Sequence, residues 1–486
     1  MSRLIVGPFN RVEGDLEVRL EVTDGRVESA HVNATMYRGF EQILQQKPAH
    51  DALVYVPRIC GICSVSQSVA AARALADAMK ATPPSNGLLV TNLMLATENM
   101  ADHLTHFYLF FMPDFARTHY AQQAWHGAVV DRFTAMQGRH ARLALAARQR
   151  WFMLLGTMGG KWPHTQSIQP GGSSRAVDAS ERLRLLALVR EFRAFLEQTL
   201  FGAPLEAIAA LDSEAALRAW HATAAPDKGD LRLFLTLAWQ QKLDQMGPGP
   251  GLYMSNGSYP DIDGKTLFAR GLWDASADAV QPLDTAAIAE DATHAWLFDA
   301  SGALHPANGV TVPDIDKLDA YTWNKAPRLA GRVLETGALA RQLVDGHPLI
   351  RDAAQRCGGT VYTRVLARLL ELALVVPAME QWLKALRLDQ PWFTEEASAL
   401  DADGVGLTEA ARGSLGHWVS IRNGKIANYQ IIAPTSWNFS PRDADGVPGA
   451  LEAALVGAEV QQGEATPVAV QHIVRSFDPC MVCTVH

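Results

Sequence analysis

Five cysteines occur among 486 residues, and four of them form two C-x-x-C pairs at opposite ends of the chain, Cys60/Cys63 and Cys480/Cys483. Two intervening residues let both thiols of a pair reach one metal ion, and sulfur donors select soft or borderline cations. Arg58 precedes the first pair and an Ala-rich helical pattern follows from Ser64; a guanidinium and a helix N-terminus both favour thiolate over thiol. Asp478-Pro479 leads into the second pair, close to His486. Structural zinc is the plainest use of four cysteines, but zinc modules usually place their pairs roughly 15–20 residues apart to staple a small fold. A redox disulfide is a second use, and neither pair has a thioredoxin-like βαβ setting. A shared site would instead join the two ends of a large chain. The remaining thiol, Cys357, reads as a small buried apolar residue.

Elements that could bring those ends together are visible in the hydrophobic period. Leu16, Val18, Leu20 and Val22 alternate, and Asp24-Gly25 turns them into a second run, a β-hairpin. Asn423-Gly424 marks another hairpin within 417–433. Helical periods cover Ser64 to Lys80 and about Asn86 to Phe111, with further helices expected near 140–156, 178–200, 326–345 and 360–388. The Gly-, Pro- and Asp-rich region 245–325 reads as loops and short strands. The expected fold is mainly α with small peripheral sheets (α+β), built on a central bundle of long helices. Length alone allows two to four domains at about 100–200 residues each, but no repeat, low-complexity tract or linker divides the chain, so one domain over 1–486 is expected.

Composition narrows the function. Only 19% of residues are charged, 48% are hydrophobic and 12 are Trp, which describes a well-cored protein. The net charge of −8, with no Lys/Arg run, argues against a nucleic-acid partner. No apolar stretch reaches the ~18 residues that span a bilayer. The first residues, Met1 to Asp15, have too short an apolar run for a secretory signal.

The motifs together resemble nickel–iron hydrogenase large subunits. Arg58-Ile-Cys-Gly-Ile-Cys63 and Asp478-Pro-Cys-Met-Val-Cys-Thr-Val-His486 look like that family's two signatures. The likeness extends to Arg11-Val-Glu-Gly14, Arg38-Gly-Phe-Glu41, Ala411-Arg-Gly-Ser-Leu-Gly-His-Trp418 and Pro434-Thr-Ser-Trp437, in the family's order. The resemblance implies terminal nickel ligation by Cys60 and Cys480, and bridging of nickel and iron by Cys63 and Cys483. The iron would carry one CO and two cyanides. Four thiolates and two cyanides against two divalent metals leave about two negative charges to compensate in a low-dielectric interior, a task expected of Arg412 and Arg58. Arg412 and Thr435 match positions at the diatomic ligands, and Asp478 and Asp102 match acids near the pocket. The implied reaction is heterolytic cleavage of dihydrogen, with Cys480 or another terminal thiolate as first base and Glu13 as proton relay. Taken alone, Glu13 reads as a surface strand residue, and His103 and His106 as members of a structural network along the 86–111 helix.

The resemblance also implies peripheral sites. Glu41, the Ile432 carbonyl and His486 would hold magnesium. His164, in Gly160-Lys-Trp-Pro-His164, would face an iron–sulfur cluster of a partner subunit. That partner is required by electron accounting, because Cys357 alone cannot hold a cluster needing about four ligands. Departures from most relatives indicate a branch: Gln67 stands where His is usual and Ala411 where Pro is usual. Ile62 and Phe110 line the expected gas channel where oxygen-sensitive members carry smaller Val and Leu. The chain also stops at His486, where many members are made with a cleaved extension. That stop is ambiguous, but Gln67, Ile62 and Phe110, with the short length, look most like the hydrogen-sensing regulatory subgroup: cytoplasmic, slow, oxygen-tolerant, a heterodimer or dimer of heterodimers, signalling to a histidine kinase. A respiratory uptake hydrogenase is the alternative. A zinc-stapled, non-catalytic interaction protein is the reading from another class.

Overall fold

The computed structural model describes residues 2–299, 302–395, 399–484 and 486. Its centre is helical. Helix Ser85–Thr105 buries Val90, Leu93, Leu95, Met100 and Leu104, apolar positions that leave almost no solvent face, as expected of a helix surrounded by others. It packs against helix Val361–Ala385, which starts at a Thr360/Thr363 capping box. Helix Ala179–Phe195, also opened by a capping box, Asp178 with Glu181, lies against Val361–Ala385 too. Beyond Thr105 the chain continues as a π-turn, His106–Phe111, and a 3-10 turn, Met112–Ala116. One continuous apolar cluster runs from Val6 to Cys483.

The sheets are small and antiparallel. Ser2–Val6, Leu16–Thr23 and Arg26–Ala34 form one, in that order, and Ala402–Ala410, Gly413–Arg422 and Lys425–Ile432 form another. Both expected hairpins are present; Asp24 and Gly25, like Asn423 and Gly424, have the positive φ that a two-residue hairpin turn needs. The region 245–325 holds a third sheet, beginning with Leu252–Pro260 and Thr266–Asp274. The helix expected over 326–345 is mostly absent. Ala326–Leu329 is a strand paired with Ile288–Asp291, and only Ala338–Asp345 is helical. Pro327 lacks a helix donor, and Gly331 and Gly337 adopt positive φ, so the chain cannot wind before residue 338.

Two features position the site. Strand Ala402–Ala410 lies across helix Ser64–Met79 so closely that a Cβ on Gly406 would fall 1.9 Å from the Ala70 carbonyl oxygen. This seats the turn carrying Ala411 and Arg412 over the start of that helix. Asp114, fully buried, gathers Arg11, Arg117 at 2.8 Å and Arg475 at 2.5 Å, and Arg475 also bonds Asn10 Oδ1 at 2.7 Å. One carboxylate thereby pins the segment leading to Glu13 beside the segment leading to Cys480.

Candidate metal centre

The four paired cysteines converge. All their sulfurs lie within 4.8 Å of one another: Cys60 to Cys480 is 3.4 Å, Cys63 to Cys483 is 3.2 Å and Cys480 to Cys483 is 2.9 Å. All four are free thiols and buried. The two ends of the chain meet here through main-chain contacts. Glu13 and Cys480 form a parallel bridge, and the Met481 N–H donates to the Glu13 carbonyl at 2.8 Å. The Arg38 guanidinium donates to the carbonyls of both Ile59 and Val482, clamping the two C-x-x-C loops together. Thr435 Oγ1 accepts from the Cys480 N–H at 3.2 Å.

The four sulfurs influence one another's ionisation. Hydrogen bonds from Cys480, Cys483 and Cys63 hold the Cys60 thiol well below its ordinary range, and the same sulfur network drives Cys63 up. Burial raises Cys480 and Cys483. Packed this closely, the sulfurs oppose one another's ionisation, and ionising all four requires cations at the centre. Sulfurs that have chiefly each other as partners, too dense to ionise alone, are a donor set built for soft metal ions.

The basic residues sit differently from expectation. Arg412 is buried, bonds the Asp478 carbonyl at 2.9 Å and the Asp478 carboxylate at 3.2 Å, and makes an ion pair with Asp102 at 3.1 Å. Two carboxyl groups therefore share its charge. Burial outweighs Arg412 at Asp102 and lifts that carboxyl to about 8, whereas at Asp478 the guanidinium prevails over burial and holds it below the usual range. Arg58 is not part of the site: its guanidinium is exposed and donates to the Val54 carbonyl, because the 3-10 turn Val56–Arg58 directs it outward. Nor does the helix N-terminus serve Cys63. The N–H groups of Val65 and Ser66 donate to Glu98, at 2.8 and 2.9 Å.

With this geometry in view, comparison with known proteins is decisive. Residues 38–128 and 229–486 match the nickel-dependent hydrogenase family. The chain belongs to that family. The periplasmic [NiFeSe] hydrogenase large subunit of Desulfomicrobium baculatum is 30% identical over all of this chain and 95% of its own. The uptake hydrogenase large subunit of Cupriavidus necator is 27% identical over all of this chain and 95% of its own. In structure, the reduced Ni-Fe-Se hydrogenase of D. vulgaris Hildenborough aligns over 100% of both chains at 28% identity, with a TM-score of 0.85. The chain is a nickel-dependent hydrogenase large subunit with the α+β fold of its relatives, and the zinc-stapled reading falls. No described helix is long and apolar enough to cross a membrane.

Around the hydrogenase centre, Glu13 is half-buried; burial, then the nearby Cys60 charge, raises its carboxyl. Gln67 Oε1 accepts from His417 Nε2 at 2.9 Å, and His417 Nδ1 meets the Tyr429 hydroxyl at 2.9 Å. An imidazole therefore stands one residue behind the amide, and burial keeps it neutral, at about 3. His103 faces Glu371 at 3.3 Å and His106 bonds the Arg475 carbonyl at 2.6 Å. Glu41 is buried 3.4 Å from His486 Nε2, which lies 2.6 Å from a main-chain carbonyl. That carbonyl belongs to Ile431, not Ile432. Both Ile431 main-chain groups point off the open edge of the sheet, its N–H to Glu41 at 2.8 Å, while strand alternation turns Ile432 inward toward Gly416. His164 Nδ1 lies 3.0 Å from the Pro57 carbonyl, beside the first cysteine loop. Ile62 and Phe110 are both half-buried, in that loop and in the π-turn. Arg38 carried a motif signal but no assigned role, and Asp114, Arg475, Glu98 and Lys325 carried no signal, since their partners are remote in sequence.

Proposed function

We propose that the four thiolates hold a nickel–iron centre that splits dihydrogen, with Cys60 and Cys480 terminal on nickel, Cys63 and Cys483 shared with iron, and one CO and two cyanides on the iron. The observation that carries this reading is the convergence of four buried sulfurs within 4.8 Å at the junction of the chain ends. Once bound, the metals supply the polarisation that makes dihydrogen, a very weak acid, cleavable at neutral pH. The chain's own groups do the rest. Arg412, fixed by Asp102 and Asp478, and Thr435, fixed by Cys480, present donors over the centre. Glu13, half-buried beside Cys480 and with its carboxyl raised by burial and the Cys60 charge, carries protons away. Infrared spectroscopy of the purified protein tests the assignment: CO and cyanide bands are expected, and their absence would sink it.

Electrons must leave through another chain. Cys357 is remote from the sulfurs, with its thiol on the Ala353 carbonyl at 3.2 Å, so an iron–sulfur small subunit is the acceptor, docking where Cys60–Cys63 and His164 approach the surface. Glu41, the Ile431 carbonyl and His486 fit a hard cation completed by water, and magnesium is the ion we assign. The role we favour is a slow, oxygen-tolerant, cytoplasmic hydrogen sensor that signals to a histidine kinase. Its support is Gln67 in place of an imidazole, and the larger Ile62 and Phe110 at the positions where the resemblance puts the gas route. The uptake role is the alternative, favoured by the 27% identity to an uptake enzyme. Ile62→Val with Phe110→Leu separates part of this: hydrogen-dependent activity should become oxygen-sensitive, since a change of even one methylene is felt in a packed interior. Unchanged tolerance would remove the channel argument, and fast turnover with a respiratory acceptor would favour uptake.

A further inference from the structure

One buried carboxylate near the cysteines has no part in the chemistry above. Glu98 lies on helix Ser85–Thr105 and is 2% exposed. Its partners among the described residues are N–H and O–H donors rather than a cation. Oε1 accepts from the Ser66 N–H at 2.9 Å and the Ser66 hydroxyl at 3.0 Å. Oε2 accepts from the Val65 N–H at 2.8 Å and from Trp162 Nε1 at 3.0 Å, with the Ser64 hydroxyl at 3.5 Å. The first two N–H groups belong to the helix that begins immediately after Cys63, where unpaired donors and the helix dipole favour an anion. Trp162 belongs to the 160–164 loop, is stacked on Phe152 at 4.3 Å, and so is rigidly placed.

That loop grips both flanks of the first cysteine pair. His164 Nδ1 meets the Pro57 carbonyl before it, and the His164 N–H donates to Ser64 Oγ after it, at 3.3 Å. We propose that Glu98 is a positioning residue for Cys60 and Cys63, coupling the placement of the 160–164 loop to the sulfurs through Trp162 and the Val65 and Ser66 amides. The inference rests on the nickel–iron reading above. An acceptor-only group is required: both oxygens already receive two close donors, so an amide would set its NH2 against a main-chain N–H. Partners that orient metal ligands typically matter about 10–100-fold in activity or metal affinity.

The test uses the metal-loaded protein with its partner subunit. Glu98→Gln should shift the CO and cyanide infrared bands and lower hydrogen-dependent electron transfer about 10-fold. Trp162→Phe, which keeps the helix contacts, should shift the bands in the same direction by less. Bands of both variants superimposable on the parent would overturn the proposal. If Glu98→Gln fails to retain metals, Trp162→Phe alone decides between those two outcomes. Absence of the bands from the parent protein would overturn the nickel–iron reading instead, so the two failures are distinguishable.

Discussion

The two cysteine pairs have the same spacing and are held differently. Cys60 and Cys63 combine contacts from their neighbours with distant ones from Glu98, His164 and Arg38 on the flanking residues. The N–H groups of Ile62 and Cys63 approach Cys60 Sγ at 3.3 and 3.4 Å, and Cys63 is the residue from which helix Ser64–Met79 departs. Cys480 and Cys483 sit in a loop and one short 3-10 turn, Met481–Cys483, with little local structure to fix them. Distant residues do that work: Glu13 along the main chain, Arg38 on Val482, Thr435 on the Cys480 N–H and Arg412 on Asp478. Asp478 itself has φ +57, a conformation that its surroundings impose. One half of the centre thus has local as well as long-range support, and the other relies on contacts that exist only once the whole chain has closed.

The largest effect should be indifferent to this contrast. Cys60→Ala and Cys480→Ala should each abolish nickel retention and hydrogen-dependent activity, because each removes a ligand from one shared set. Nickel analysis checks this, and a variant that kept full nickel would show that the pairs do not act together. Next, Glu13→Gln should lower turnover by about 10²–10⁴-fold, the worth of a positioned proton-transfer group, while leaving metal content intact. Unchanged turnover would take Glu13 off the proton path.

Structural substitutions should then separate the pairs. Gly14 has φ +77, and a Cβ there would lie 2.9 Å from both the Val482 N and its Cγ1. Gly14→Ala should cost about 1–3 kcal/mol through the backbone conformation alone, and it should depress metal loading by displacing the second pair. Thermal unfolding with nickel analysis measures both. Acid should also act on the second half, through the Glu41 carboxylate beside His486. At Glu41 burial opposes ionisation, but Lys325 and His486 bring the carboxyl down to about 2 from an ordinary 4.5. A depressed acid contributes stability that is complete above the unfolded value and lost as pH falls from about 4.5 to about 2. In metal-free protein, Glu41→Gln should lose that dependence, and an unaltered acid-unfolding profile would remove Glu41 from the account.

What could be read from the sequence follows the same division. The helix after Cys63 and both hairpins were legible because periodicity and Asp24-Gly25 or Asn423-Gly424 turns are local signals. The family motifs marked the four sulfurs, Glu13, Arg412 and Thr435. Sequence could not show that Arg58 turns outward, that Ile431 rather than Ile432 presents its carbonyl, or that Arg412 is shared by two carboxyl groups. Each depends on which way one residue faces after distant elements pack. The strand at Ala326–Leu329 was missed for a related reason: its apolar residues suit a helix, and only its pairing with Ile288–Asp291 makes it a strand.

The smallest expected effect sharpens the contrast most. Gly61 lies between Cys60 and Cys63, inside a signature motif, and would ordinarily be ranked among the least replaceable residues. Yet the nearest atom to a Cβ built there is Pro163 Cγ at 4.0 Å, an ordinary contact distance or beyond. Gly61→Ala should therefore change stability by no more than about 0.5 kcal/mol and leave nickel content unchanged, whereas Gly14→Ala, outside both cysteine motifs, should damage the centre. Thermal unfolding and metal analysis of the two variants side by side make the comparison. If Gly61→Ala proved the more harmful, the local contacts of the first pair would not be what makes it tolerant. The local account of its geometry would then fail.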